Sequence, residues 1–228
     1  FPAGISILSA VFDAFDIEQM RFADGALREG VLYDMAGRNS AEDSRLKTLT
    51  FLKRCYDVDT RQADNVADTA ERLFSRLRED WQLNDDHRRY LCWASEVHEI
   101  GLAISHSQFH RHGAYLLEHS DLSGFSRPEQ RLLAFLVRAH RRKFPVKEWQ
   151  ALPTSQQASA AKLARLLRLA VLLNHSRPET PPQLPGLTCR NDTLQIHLDA
   201  SDEPTLLSTD LEQEQAFMKS AGFSLELS

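Results

Sequence analysis

Two short stretches hold most of the side chains in this sequence that could do chemistry. The first, residues 94–118, places His98 beside Glu99 and follows them with His106, His110 and His112. Imidazoles at this density point to metal, phosphate or proton handling, because the neutral ring binds metals and the ring titrates close to neutral pH. Any one of them can equally be satisfied by a neighbouring carbonyl or water, so the cluster is the informative feature. The second stretch is Arg138-Ala-His140-Arg-Arg-Lys143. Cations at a helix C-terminus gain about 0.3–1 kcal/mol each from the macrodipole, yet this run exceeds what a helix end needs. Guanidinium forks match phosphate oxygens. With His110-Arg111-His112, the run reads as a positively charged lining for a polyanion. Asp24-Gly-Ala-Leu-Arg-Glu-Gly30 is a weaker third candidate, a strand-to-helix junction whose amides could face phosphate. Packing explains that junction equally well. No Walker sequence, nucleophile elbow or Cys–His arrangement occurs.

The elements that must carry these residues follow from hydrophobic periodicity. Residues 1–37 read as helix, strand, helix. Ile5, Leu8, Phe12 and Phe15 form a stripe, Met20 and Phe22 alternate, and a second helix runs through Leu27, Val31 and Met35 to Gly37. A single strand cannot complete a sheet, so this segment reads as the end of an α/β domain. From Asn39 the chain is helical, with Ser40-x-x-Asp43 as a loose capping box. A helix over about Thr60 to Trp81 carries Ala63, Val66, Ala70, Leu73 and Leu77 on one face. The next helix puts Leu91, Ala94, His98 and Leu102 on one face. Ser126-Arg-Pro-Glu129 is a capping box with an early proline, opening a helix that ends in the basic run. The last long helix begins at Thr154 and is apolar almost all round from Leu163 to Leu173, so it should be central. Four prolines within 176–186 mark a linker. Beyond it, Leu194, Ile196 and Leu198, then Phe223, Leu225 and Leu227, alternate as strands, with a short helix capped by Thr209-x-x-Glu212 between them.

Composition sets the class. The chain has 228 residues, is 42% hydrophobic and carries a formal charge of −5, which argues against general nucleic-acid binding. Cys55, Cys92 and Cys189 are well separated and in no CxxC pattern, so they read as reduced thiols of a cytoplasmic protein. No run approaches the roughly 20 apolar residues of a membrane span. The chain opens Phe1-Pro2 rather than with Met, and is expected to be a piece of a longer protein.

The helix order around His98-Glu99 resembles the metal-dependent HD phosphohydrolases. That resemblance implies an early His, a His–Asp pair and a late Asp converging on a divalent cation. Here the early position is Gln62, the pair is His98-Glu99, and the late helix offers Val171 with Asn174 nearby. Valine cannot bind a metal and an amide binds one weakly, so the expectation is an HD-like scaffold with a degraded metal site.

Longer motifs narrow the resemblance. Residues 21–34 resemble the end of the second actin-like domain of the exopolyphosphatase and guanosine pentaphosphatase family. Val97-His-Glu-Ile-Gly101, residues 110–116, residues 120–126, Arg138-Ala-His-Arg-Arg-Lys143 and residues 166–174 resemble its helical third domain, and the tail its fourth. The fold implied is mainly α. Residues 1–38 would be the last helix-strand-helix of an actin-like (ASKHA) α/β domain, residues 39–178 an HD-like all-α domain, and residues 179–228 a small α+β domain. The resemblance implies an exopolyphosphatase of the proteobacterial type, cutting terminal phosphate from long inorganic polyphosphate with Mg²⁺. Its catalytic residues would lie in N-terminal domains, and this chain would neither catalyse alone nor bind the metal. The chain would grip and thread polyphosphate through His110, Arg111, His112, His140, Arg141, Arg142 and Lys143, the histidines helping when protonated. A homodimer is also implied. Three alternatives stay open: a guanosine pentaphosphate phosphohydrolase region, an active HD-type metal phosphohydrolase, and a purely structural dimer module.

Overall fold

The computed structural model describes residues 2–19, 41–180, 182–190, 192–197 and 206–227. The chain divides into two compact units, Phe1–Ala41 and Glu42–Ser228. In the first, α1 spans Pro2–Phe15, with Ile5, Leu8 and Phe15 exposed. The strand expected at Met20 and Phe22, the helix expected through Leu27, Val31 and Met35, and the Asp24–Gly30 junction lie outside the described residues.

The second unit is mainly helical with a small three-stranded sheet. Its helices are α2 (Ala41–Cys55), α3 (Thr60–Leu77), α4 (Asp85–Val97), α5 (Phe109–His119), α6 (Arg127–Ala139), the short α7 (Val146–Gln150) and α8 (Thr154–Leu173). A 3₁₀ turn over Ile100–Ala103 joins α4 to α5. Local chemistry sets these limits. Asp59 caps α3 by accepting from the Gln62 amide at 3.1 Å. Ser126 and Glu129 form the expected reciprocal capping box on α6. The expected continuation of α4 through His98 to Leu102 is corrected: α4 stops at Val97 with His98 as its C-cap. The reason is close backbone packing. A Cβ on Gly101 would lie 2.0 Å from the Phe109 carbonyl oxygen and 2.5 Å from the Gly113 nitrogen, so only glycine admits this approach.

Helix α8 is the centre, packed against α3, α4 and α6. Leu163, Leu166, Leu167 and Ala170 on it are fully buried, as the periodicity predicts. Two arginines on α8, Arg165 and Arg168, are also buried, each 1% exposed. They dock the C-terminal segment. Strand β1 (Gly186–Arg190) pairs antiparallel with β2 (Thr193–His197), which pairs parallel with β3 (Leu225–Leu227). Helix α9 (Leu206–Ser220) lies between β2 and β3 in sequence and packs on β3 and α8. Both alternating runs expected as strands are present in part, and β1 arises where the sequence showed only the end of a linker. Its register sets Leu187 opposite Ile196 and Cys189 opposite Leu194.

Arg165 lies between the rings of Trp81 and Phe223, 4.6 and 4.9 Å from their centroids. It also donates to the Asp192 carbonyl at 3.0 Å and carboxylate at 2.7 Å. Arg168 donates to both oxygens of Glu214, at 2.5 and 2.7 Å. Glu214→Ala therefore leaves a buried guanidinium without its counter-charge, and should cost about 3–5 kcal/mol. Urea unfolding monitored by tryptophan fluorescence checks this, and a loss near that of an exposed ion pair, below about 1 kcal/mol, would contradict it.

Candidate functional site: an imidazole cluster beneath an arginine face

The ends of three helices meet at one point. His98 is the C-cap of α4, His110 lies in the first turn of α5, and His140 is the C-cap of α6. The His98 and His140 rings are 5.4 Å apart, centroid to centroid, and His110 and His140 are 6.2 Å apart. Phe109 packs on His140 at 5.4 Å. The three imidazoles are 1%, 4% and 2% exposed. The Nδ1 atoms of His98 and His140 pair with the carbonyls of Ser95 and Val137 at 2.7 and 2.6 Å. A carbonyl only accepts, so each Nδ1 carries the proton and each Nε2 presents a lone pair. Nε2 of His98, Nε2 of His140 and Nδ1 of His110 have no hydrogen-bond partner.

Burial keeps these rings neutral. Desolvation, then four surrounding arginines led by Arg138 and Arg141, hold His110 down at about 3. Desolvation is also the main cause lowering His98 and His140, and His140 is pushed further by His98. The expectation that His110 and His140 lend charge to a polyanion is thereby corrected: they are buried and uncharged at neutral pH. His112 is half-buried and His106 exposed, neither within the cluster's ring contacts.

The cations lie outside this cluster. Arg111, Arg138, Arg141 and Arg142 all act on His110 electrostatically, which brings Arg111 together with arginines 27 or more positions further along the sequence. Arg141 is half-buried with its guanidinium 4.6 Å above the Phe109 ring. Arg111, Arg142 and Lys143 are exposed. The loop carrying Arg141 to Lys143 is fixed by its main chain. Arg168 donates to the carbonyls of Ala139 at 2.5 Å and Arg142 at 2.6 Å. Arg142 itself adopts a left-handed φ of 62°.

The positions compared with an HD metal site in the sequence hold a hydrogen-bonded knot. Both oxygens of Glu99 accept from Arg177, at 2.7 and 2.8 Å, and Arg177 also reaches Asp59 at 2.8 Å. Gln62 donates to the Asn174 carbonyl at 3.0 Å, and the Asn174 amide donates to the Thr69 hydroxyl at 2.9 Å. Val171 packs against the core. These residues do not fit a divalent-cation centre: a guanidinium consumes the Glu99 carboxylate, Gln62 and Asn174 offer only amides, and of the expected set His98 alone keeps a free ring nitrogen. Among the described residues, no group of three or more His, Cys, Asp or Glu side chains is placed to hold a metal ion. Arg177, the tie of this knot, lies in the stretch read as a linker and carried no signal in periodicity.

Family models match nearly the whole chain. The Ppx/GppA phosphatase domain III model covers residues 44–215, and the Ppx/GppA phosphatase family model covers residues 1–39. The chain belongs to the Ppx/GppA phosphatase family. It is 38% identical over 231 residues to a protein of Photobacterium profundum, and 35% identical over 231 residues to one of Vibrio cholerae. It is also 34% identical over 234 residues to one of Aeromonas salmonicida. All three relatives are named guanosine-5'-triphosphate,3'-diphosphate pyrophosphatase, and each match takes in 100% of this chain and 46% of the relative. The chain thus spans about half the length of the curated relatives it matches. No helix among the described residues is long and apolar enough to cross a membrane.

The neutral cluster has a pH signature. Folded His110 titrates at about 3, against about 6.5 in the unfolded chain. Between those values the unfolded state binds more protons, so stability is complete above pH 6.5 and is lost on acidification through this window. The slope should be about 1.4 kcal/mol per pH unit for each such histidine. Denaturant unfolding from pH 5 to 8 should show this acid-side decline. His110→Leu should remove one proton's share of it, and an unchanged slope would contradict the buried, neutral assignment.

Proposed function

We propose that this chain is the C-terminal portion of a guanosine 5'-triphosphate 3'-diphosphate phosphohydrolase. In this reading its helical domain holds the phosphorylated substrate while the hydrolysis occurs elsewhere in the polypeptide. The observation that supports the reading is similarity along the whole chain to relatives named guanosine-5'-triphosphate,3'-diphosphate pyrophosphatase. Long-chain inorganic polyphosphate, the substrate expected first from the sequence, gives way to it, since these relatives are named for the guanosine compound. The reaction is attack of water on a phosphoric anhydride. Water bonds to the terminal phosphorus and gives up a proton to solvent, the bridging P–O bond breaks, and the phosphate that stays on the nucleotide leaves with the electron pair. Mg²⁺, if it supports that step, neutralises charge on the phosphate oxygens, and no residue described above is assigned to it. Homodimerisation through the helical region belongs to the same proposal.

The arginine face supports a substrate-holding role. Arg111, Arg141, Arg142 and Lys143 project from two helix ends held rigidly by a buried frame, while the imidazoles beneath contribute shape rather than charge. Phosphate contacts by such cations release counterions, so affinity falls as salt rises, by the physics that governs nucleic-acid backbones. The main chain sets where these cations start, and binding must still order the exposed side chains of Arg111, Arg142 and Lys143.

Phosphate release by the full-length gene product, compared on guanosine pentaphosphate and on long-chain polyphosphate, tests the substrate. A higher kcat/KM on the guanosine compound is expected, and a higher value on polyphosphate would overturn the assignment. Arg142→Ala with Lys143→Ala tests the holding role. Their side chains make no hydrogen bond or ion pair among the described residues, so the fold should be unaffected. The double variant should lower the salt slope of pentaphosphate binding by about 1.5–2, near one counterion per lost contact. An unchanged slope would leave the basic run as a helix cap.

A further inference from the structure

A groove of about 580 Å³ lies where α5, α6 and α7 meet. Helices α5 and α6 form an antiparallel hairpin, and a Cβ on Gly113 would touch Val137 at 3.0 Å. Positions whose numbers sum to about 250 therefore face each other across it. Arg111 stands opposite Arg138 at one end of the groove, and Glu118 opposite Arg131 at the other. Between them the floor is apolar: Ala114, Ala134, Phe135 and Leu152 line it and are otherwise buried. Tyr115 forms one wall, 62% exposed, with its ring held 4.4 Å from His119.

The groove carries more cations than carboxylates: Arg111, Arg131 and Arg138 against Glu118 and Glu148. Arg138 has only a loose pair with Glu148 at 3.6 Å. Its burial, and then the neighbouring Arg111, disfavour its charged form, while Glu148 alone supports it. Arg111, Arg131 and Glu118 have no side-chain partner among the described residues. Two guanidinium groups set against each other over an apolar floor are a receptor for a multiply charged anion. The pocket is large enough for a drug-sized or nucleotide-sized molecule. Arg111 and Glu118 are two helical turns apart, about 10 Å along the axis, a separation that suits a ligand with phosphates at one end and a polar ring edge at the other.

We propose that this groove binds a guanine nucleotide, its phosphates between Arg111 and Arg138 and its base against Tyr115 and the apolar floor. The Glu118 carboxylate then accepts from the two adjacent N–H donors of the guanine edge, a pairing that adenine cannot offer. The choice of guanine deepens the reading of the parent substrate and rests on it, whereas the groove and its unpaired arginines stand independently.

The test is calorimetric titration of the 228-residue chain with GDP, ADP and inorganic phosphate. GDP should bind more tightly than either of the other two. Tyr115→Ala should weaken GDP by about tenfold, as loss of one stacking partner does. Arg111→Ala should weaken it by at least about tenfold, as loss of a charge-assisted contact does. Both residues are exposed, so the melting temperature should not move. Glu118→Gln should erase the preference of GDP over ADP. Equal affinity for GDP and phosphate, unchanged binding in the Tyr115 and Arg111 variants, or no GDP binding would each overturn the proposal. A failure here differs from a failure of the holding role, which is read from the pentaphosphate salt slope, and from one of the parent substrate, which is read from phosphate release.

Discussion

The Arg168 guanidinium is the constraint on which most of this structure depends. It is 1% exposed in the middle of the central helix and spends its donors on Glu214, on Ala139 and on Arg142. Removing such a charge from water costs several kcal/mol, and only complete pairing offsets that cost. The residue therefore forces three things to coincide: the position of α8, the docking of α9 through Glu214, and the path of the chain after α6. Arg165, three residues earlier, performs the same service for the small sheet through Asp192, Trp81 and Phe223. Buried ion pairs are weak sources of net stability but strong selectors of a single arrangement, and here the arrangement selected is the geometry of the arginine loop.

That frame explains how one short segment carries opposite chemistries. At 140 the side chain turns inward as a neutral imidazole bonded to the Val137 carbonyl. At 141 the guanidinium covers Phe109, and at 142 and 143 the cations face solvent. Main-chain carbonyls anchor the loop, so its cationic side chains are not needed to hold it. Beside it, the positions matching the metal-site motif are tied by Arg177, Glu99, Gln62 and Asn174. The arrangement thus supports a reading in which phosphate is held by guanidinium groups.

Much of this was legible in the sequence. The capping box at Ser126 and Glu129, the long central helix from Thr154 and the strand at Leu225 follow from local patterns that tertiary contacts reinforce. The basic stretches were visible too, though not their convergence. Other features were hidden for specific reasons. Arg165 and Arg168 interrupt an apolar helix, and nothing local says that their partners lie 27 and 46 residues further on. Strand β1 follows a proline-rich stretch and alternates weakly. The end of α4 at Val97 depends on Gly101 meeting the backbone of α5, a contact that periodicity cannot register. Two histidines in basic surroundings read as titrating cations, whereas three helix ends enclose them. The pairing of Arg111 with Arg138 needed the register of the α5–α6 hairpin.

The central claim is that phosphate is handled by the arginine face and that the motif-matching site is a structural knot. NMR of side-chain signals during a titration with guanosine pentaphosphate, with and without Mg²⁺, addresses it most directly. The account predicts shifts in the Nε–H resonances of Arg111 and Arg142, with the side-chain amides of Gln62 and Asn174 unmoved in either condition. Shifts of those amides and of the His98 ring that appear only with Mg²⁺, with the arginines silent, would contradict it.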